Sequence, residues 1–232
     1  MSVQEALKVL ERLDRPSVAD AVFAVLNRQI LTLVLPPGMK ISEADVAEAL
    51  GVSRQPVRDA FYRLSKLGFL TMRPQRATTV SLISENSVMQ ARFVRTAIEL
   101  ETVRAACDRL GPDDIDALEA ILDEQADTLT PGHAEGFHRL DDRFHREISE
   151  RAGHGHVWDI IRDNKAHMDR VRYLSLSFAT RRAHAEHREI LAAIRARDAG
   201  AATAALRGHL TRILDQMVQI RAAHGAYFAD ET

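Results

Sequence analysis

Sixteen consecutive residues constrain this chain more than any other part of it: Glu43-Ala44-Asp45-Val46-Ala47-Glu48-Ala49-Leu50-Gly51-Val52-Ser53-Arg54-Gln55-Pro56-Val57-Arg58. They read as two short helices joined by a tight turn, the layout of a helix-turn-helix that sets its second helix into a DNA groove. Ala47 is small enough for two helices to cross closely. Gly51, four residues on, falls where the chain must turn and a positive φ is needed. Val57 faces back into a core. Ser53 is placed to cap the second helix, and Pro56 falls in its first turn, where a missing N–H costs little. Val57, Ala60, Phe61 and Leu64 follow at i, i+3, i+4 and i+7, an inward apolar stripe. Arg54 and Arg58 lie on a neighbouring outward face, where an arginine can pair with guanine O6 and N7 or clamp a phosphate. An ordinary helical hairpin with solvated arginines is the alternative for each residue singly; their combination favours a DNA reader.

The next segment agrees. The helix ends at Gly68, and Leu70-Thr71-Met72-Arg73 and Thr78-Thr79-Val80-Ser81-Leu82 read as two short strands around Pro74-Gln75-Arg76-Ala77. This is a β-hairpin wing with Arg76 at its tip, placed to reach phosphate or the minor groove. Ser53, Arg54, Gln55, Pro56 and Arg58 on the helix, with Arg76 and Thr78 on the wing, form the expected DNA-contacting set. Charge supports it. The formal net charge is −2, but residues 1–83 hold 11 Lys+Arg against 8 Asp+Glu and residues 84–232 hold 20 against 25. A local basic patch on an otherwise acidic chain suits selective contact with nucleic acid.

Upstream, residues 1–15 are amphipathic but short, and Ser17 to Leu35 reads as the first helix of this domain, broken by Pro36-Pro37-Gly38. Cys107 is the single cysteine. It excludes an internal disulfide and a multi-cysteine zinc cluster, and reads as a small buried apolar residue. No signal pattern and no bilayer-length apolar run is present, so the expected compartment is the cytoplasm.

Leu35-Pro36-Pro37-Gly38, Ser42-Glu43, the run from Leu50 to Ala60 and Gly68-Phe69-Leu70 resemble the N-terminal domain of GntR-family bacterial transcription regulators. The resemblance implies a winged helix-turn-helix and carries the family's DNA-contacting arginines onto Arg54 and Arg58. Two positions depart from the pattern: Ala77 stands where many relatives have a wing glycine, and Ala44 where some have an arginine.

The joint to a second domain falls near Leu82-Ile83-Ser84-Glu85, giving expected domains of 1–83 and 84–232. The second reads entirely helical, with segments at about 85–110, 113–129, 134–152, 155–178, 181–198 and 199–224. Gly111-Pro112, Pro131-Gly132, Gly153, Gly155 and Gly200 separate them. An antiparallel bundle follows, so the fold class is mainly α: a winged helix-turn-helix followed by an all-α bundle.

Within that bundle Asp141 and His145 are i, i+4 on one helix face and can grip one ion. His187 and His209 sit on later helices among apolar residues that mark buried faces. One carboxylate and three imidazoles suit a divalent ion. From spacing alone the set stays open: the chain has ten histidines, His138, Asp142 and His184 are rivals, and a buried histidine is more often a hydrogen-bonded core residue than a ligand.

Arg95-Thr96-Ala97-Ile98-Glu99, Asp141-x-x-Phe144-His145, Glu186-His187-x-x-Ile190-Leu191-x-x-Ile194 and His209 resemble the FCD ligand-binding domain of the fatty-acid-regulator branch of the GntR family. That resemblance implies that Asp141, His145, His187 and His209 hold a divalent metal ion, zinc first, with nickel and manganese as alternatives. It further implies a small carboxylate effector at the ion and a homodimer on a double-stranded, pseudo-palindromic operator. Arg95 is placed either to contact such an acid or to pair with Glu99 at i, i+4. The expected function is a ligand-responsive transcription regulator, a repressor rather than an enzyme. The alternatives are a metal-responsive or constitutive DNA binder with a structural ion and, further off, a metal-dependent hydrolase using Glu99, Asp142 or Glu186 as base.

Overall fold

The structure, a computed structural model, describes residues 17–73, 76–130 and 133–230, with the backbone alone at Ala134 and residues 176–178. The stretch expected within 1–15, the wing residues Pro74 and Gln75, and the Pro131-Gly132 breaker lie outside the described residues. The chain divides into two compact units, Met1–Leu82 and Ile83–Thr232.

In the first unit, α1 (Val18–Leu31) packs on α3 (Arg54–Lys66), and α2 (Glu43–Leu50) crosses α3. Val22, Leu26 and Ile30 of α1 are buried, as are Ala47 and the whole predicted stripe of Val57, Ala60, Phe61 and Leu64. A capping box closes the start of α1: the Asp20 amide donates to Ser17 Oγ, and the Ser17 amide donates to the Asp20 carboxylate. The helix ends at Leu31, short of the expected Leu35. Leu33 turns left-handed at φ 61°, and the Leu35 amide returns to the Gln29 carbonyl. Ser42 caps α2 by accepting from the Asp45 amide at 3.1 Å.

Gly51 closes α2 at φ 64°. A Cβ there would meet no atom within 4 Å, so the cost of a side chain at this turn is purely conformational. Gly51→Ala is therefore expected to destabilise the protein by about 1–2 kcal/mol, measured by chemical denaturation of the full chain. A change within 0.5 kcal/mol, roughly the spread of neutral surface substitutions, would contradict the strain argument.

The sheet differs from expectation. β2 is only Leu70–Thr71 and β3 is Thr78–Val80, and an unforeseen strand, β1 (Lys40–Ile41), pairs antiparallel with β3, giving the order β1-β3-β2. Lys40 faces Thr79 and Ile41 faces Thr78. Two residues carry no alternation for a sequence reading to detect, and β1 exists because β3 offers it an edge.

In the second unit, α4 (Glu85–Arg109) packs against α6 (Ala134–Arg151), α7 (Val157–Arg195) and α8 (Ala199–Thr211), while α5 (Pro112–Asp127) packs on α6 and α7. Pro112 opens α5 at a position where its missing N–H is an orphan in any case. The core gathers Leu100, Val103, Leu118, Leu122, Phe144, Ile148, Ile190, Ile194 and Leu206.

Two expected boundaries are corrected. The segments 155–178 and 181–198 are one 39-residue helix, α7, because Phe178-Ala179-Thr180-Arg181 contains neither glycine nor proline to stop it. The segment 199–224 divides at Arg212 into α8 and α9 (Ile213–His224), where the Arg212 amide bonds the His209 carbonyl, three residues back instead of four. After α9, a 3-10 turn at Gly225–Tyr227 leads into a short extended segment. There Ile83 donates to the Tyr227 carbonyl at 2.8 Å and accepts from the Ala229 amide at 2.9 Å. Ile83 falls with the second unit accordingly.

Candidate metal centre and DNA-reading face

Asp141 and His145 project from one face of α6, His187 from α7 and His209 from α8. Each offers one ligand atom, and these four atoms lie within 4.8 Å of one another. Asp141, His145 and His187 are buried, and the His209 side chain is 10% exposed. The rivals are engaged elsewhere. His138 faces Asp169 at 3.6 Å, Asp142 binds Lys165 and Arg172, and the His184 ring contacts the Leu122 carbonyl.

What surrounds the imidazoles fixes their protons. Nδ1 of His145 meets Glu99 Oε2 at 2.7 Å, Nδ1 of His187 meets Gln125 Oε1 at 3.0 Å, and Nδ1 of His209 meets Glu186 Oε2 at 2.9 Å. An oxygen acceptor on Nδ1 places the hydrogen there, so each neutral ring presents its Nε2 lone pair inward. The inward atoms are close: His145 Nε2 and His209 Nε2 are 3.3 Å apart, and His187 Nε2 is 3.4 Å from Asp141 Oδ1. Buried His187 Nε2 has no hydrogen-bond partner. Three facing lone pairs and a carboxylate repel one another without a cation between them, so the donor set fits a divalent ion of the borderline class.

Electrostatics hold the same states. Burial pushes the His187 pKa well below 6.5. Burial likewise lowers His209, against the opposing pull of Glu186. Burial alone would raise Asp141, but the Arg172 guanidinium holds it well below the usual carboxylate range. Glu99 behaves similarly: burial opposes ionisation, and the Arg95 guanidinium, with the hydrogen bond that Glu99 accepts from His145, brings it down to about 2.

Three arginines extend this arrangement. Arg95 pairs with Glu99, Arg212 with Glu186, and Arg172 with Asp141, the last also reaching Asp142 and Asp169. All three line a cavity of about 60 Å³ beside Asp141, Glu186 and His209. Drug-sized ligands occupy roughly 300–1,000 Å³, so this space suits a small molecule. Arg95 thus makes its ion pair and faces the cavity as well, and its buried Nη2 has no partner.

On the first unit, Arg54 and Gln55 are exposed at the start of α3, and Arg58 is 61% exposed with its Nε on Glu43 Oε2 at 3.2 Å. The first turn of α3 contains no acid, so an incoming phosphate would meet the positive end of the helix unopposed. Ser53 is the N-cap by backbone geometry, yet its hydroxyl makes no cap bond, a correction to the expected role. The usual donor three residues on is Pro56, which has no N–H. Arg63 is excluded from the face: it pairs with Asp20 at 2.8 Å and lies over the Phe23 ring. Arg76 is exposed on the wing and Thr78 half-buried in β3. Lys40, brought alongside by β1, and Arg73 line an open groove with Arg76.

The model for bacterial regulatory proteins of the gntR family matches residues 18–80, and the FCD domain model matches residues 90–212. The HTH-type transcriptional repressor RspR of Escherichia coli is 33% identical over 216 residues, covering 92% of this chain and 95% of that protein. The chain belongs to the GntR family. This GntR-family chain is also 34% identical over 218 residues to YdfH, an uncharacterized HTH-type regulator of Escherichia coli, covering 93% of this chain and 96% of YdfH. Its fold is that of E. coli McbR/YncC, at a TM-score of 0.72 and 23% identity over 88% of this chain and 98% of that one. It is a DNA-binding transcription regulator with an FCD domain, and not an enzyme. The carboxylates weighed as hydrolytic bases have other partners: Glu99 and Glu186 orient imidazoles, and Asp142 is tied to Lys165.

Sequence reading of this GntR regulator missed Gln125, Arg172 and Arg212. Arg172 lies 31 residues from Asp141, beyond any local pattern. Glu186 and Glu99 were within sight, one adjoining His187 and the other inside the Arg95 motif, but their role as imidazole partners needed the fold.

Proposed function

We propose that this regulator is a cytoplasmic repressor that binds a pseudo-palindromic operator as a homodimer and responds to a small organic acid. The first unit reads DNA through Arg54, Arg58 and the surrounding Ser53, Gln55 and Pro56, with Arg76 and Thr78 on the wing. The second unit takes the effector and pairs the subunits. Asp141, His145, His187 and His209 hold a divalent ion, zinc first by its ligand preference. When bound, that ion supplies a positive centre with coordination sites open to a carboxylate. Glu99, Gln125 and Glu186 keep the imidazoles in the binding tautomer, and Arg95 and Arg172 receive the acid's remaining negative charge. The observation that carries this reading is the convergence of three Nε2 lone pairs on Asp141, each ring locked by an acceptor on its Nδ1.

The reading is tested by a thermal-shift screen of zinc-loaded protein against small mono-, di- and hydroxy-carboxylates, with His187→Ala beside it. A ligand that binds only the native state raises the midpoint with concentration. A hit that persists in His187→Ala contradicts anchoring at the ion. Operator binding that follows metal supply alone, with no acid effect, favours the metal-responsive alternative.

Glu99→Gln removes the charge that orients His145 and raises its basicity. Outer partners of this kind are worth about 10–100-fold in metal affinity, and a loss in that range is expected by competition against a chromophoric chelator. Unchanged affinity would show that His145 needs no such partner.

A further inference from the structure

His209 and Arg212 are one turn apart and share a partner: His209 Nδ1 bonds Glu186 Oε2, and Arg212 pairs with Glu186 Oε1. Arg212 is also the joint between α8 and α9, where the hydrogen-bond ladder shortens. Its side chain lines the cavity, and its buried Nε has no hydrogen-bond partner. One residue therefore connects a candidate ligand, the cavity and a helix joint.

Beyond the joint, α9 leads to the point where the chain enters this unit. Ile213, Met217 and Ile220 of α9 share a core cluster with Ile83 and Phe228. Arg221 of α9 pairs with Glu85 at the start of α4. After the turn at Gly225–Tyr227, the backbone brackets Ile83 from both sides, as described above, and Phe228 forms a parallel bridge with it. Ile83 directly follows Leu82, the last residue of the first unit, and lies three residues after β3. Side-chain packing and main-chain hydrogen bonds thus tie Ile83 to α9.

We propose that Arg212 is a positioning residue that converts occupancy of the Asp141–His145–His187–His209 site into a displacement of α9, and that Tyr227–Ala229 delivers this displacement to Ile83. Filling the site fixes His209, and with it the carboxylate that His209 shares with Arg212. The joint then takes a new setting, and α9 moves as a rigid element because its helical ladder resumes at Gln216, whose amide bonds the Arg212 carbonyl at 3.1 Å. Coupling of this kind requires one element with two arrangements that occupancy biases. The proposal rests on the reading of the four residues as an ion site.

The test is amide hydrogen exchange resolved at Ile83 and Ala229 in the full-length protein, metal-free and saturated with Zn²⁺ alone. The same measurement is made on Arg212→Gln and Arg212→Lys, and at Ile83 alone on Ala229→Pro, whose proline has no amide; Zn²⁺ affinity is titrated separately for each. In the unaltered protein, Zn²⁺ is expected to change exchange at both amides by at least about 5-fold, the lower end of typical couplings. Arg212→Gln, saturated with Zn²⁺, abolishes that response, and Arg212→Lys restores part of it. Ala229→Pro removes the amide that bonds the Ile83 carbonyl. It leaves Zn²⁺ affinity unchanged and uncouples Ile83 from occupancy, a result that does not depend on the Arg212 variants folding. Zn²⁺ binding with unaltered exchange at Ile83 and Ala229, or an equal response in Arg212→Gln, overturns the proposal and leaves the ion site standing. Failure of the unaltered protein to bind Zn²⁺ overturns the ion site and the proposal together.

Discussion

His187→Ala is expected to lower divalent-ion affinity by two to three orders of magnitude while the protein still reads its operator. Four-ligand zinc sites bind with roughly 10–16 kcal/mol, so one ligand's share is about 2.5–4 kcal/mol. His187 is fully buried, and its ring is held by the Gln125 amide oxygen and by Phe144, 4.7 Å between ring centroids. Few side chains have so little freedom to be replaced by water or by a neighbour. The substitution also leaves a small void, so the metal-free variant must be shown to melt as a folded protein before its affinity is interpreted. His184→Ala is the matched control. It lies one helical turn earlier on α7, and its ring meets the Leu122 carbonyl, so its loss should leave ion affinity within about 3-fold. Equal effects of the two substitutions in a direct metal titration would mean that the cluster is a hydrogen-bonded core.

The second large effect concerns DNA. Arg54→Ala and Arg58→Ala are each expected to cost about 1–3 kcal/mol of specific operator affinity, the usual worth of a bidentate base contact, without lowering the thermal midpoint by more than a few degrees. Both side chains are exposed and outside the core formed by Val57, Ala60, Phe61 and Leu64. They differ in their neighbours: Arg58 is steered by Glu43, whereas no ion pair of Arg54 is recorded among the described residues. If either arginine contacts only phosphate, its loss weakens all sequences alike and reduces the salt dependence. Competition assays with operator and scrambled duplex at two salt concentrations separate these roles. Operator affinity unchanged in both variants would remove α3 as the recognition helix. Arg63→Ala is a useful contrast, since its pairing with Asp20 and Phe23 predicts lost stability in place of lost specificity.

Much of the molecule was legible because its signals are local. The apolar stripe of α3, the glycine at the αL turn and the i, i+4 pair of Asp141 and His145 each follow from spacing along one helix. The four candidate ligands came from a resemblance, since spacing alone left His138, Asp142 and His184 in competition. What sets the rivals apart lies across helices. His138 and Asp142 are on the same helix as Asp141 but turn toward Asp169 and Lys165 of α7, and no periodicity reveals that. The same holds for Arg172. The errors share a cause: β1 is too short for a pattern, the expected break before residue 181 had no breaker residue to enforce it, and the joint at Arg212 is marked by neither glycine nor proline.

The hydrogen on each Nδ1 has a further implication. Metal sites commonly release protons as they fill, because the ligands must first be stripped of them. Here each ring hydrogen is already held on the outward nitrogen, and burial keeps His187 and His209 neutral at pH 7. Asp141 is ionised in advance by Arg172. At the proposed site, His187 and His209 then surrender no proton to an entering ion at pH 7, so these two ligands add no acid dependence to its binding. For Asp141, His187 and His209, the folding reaction and not the loading step sets the protonation state.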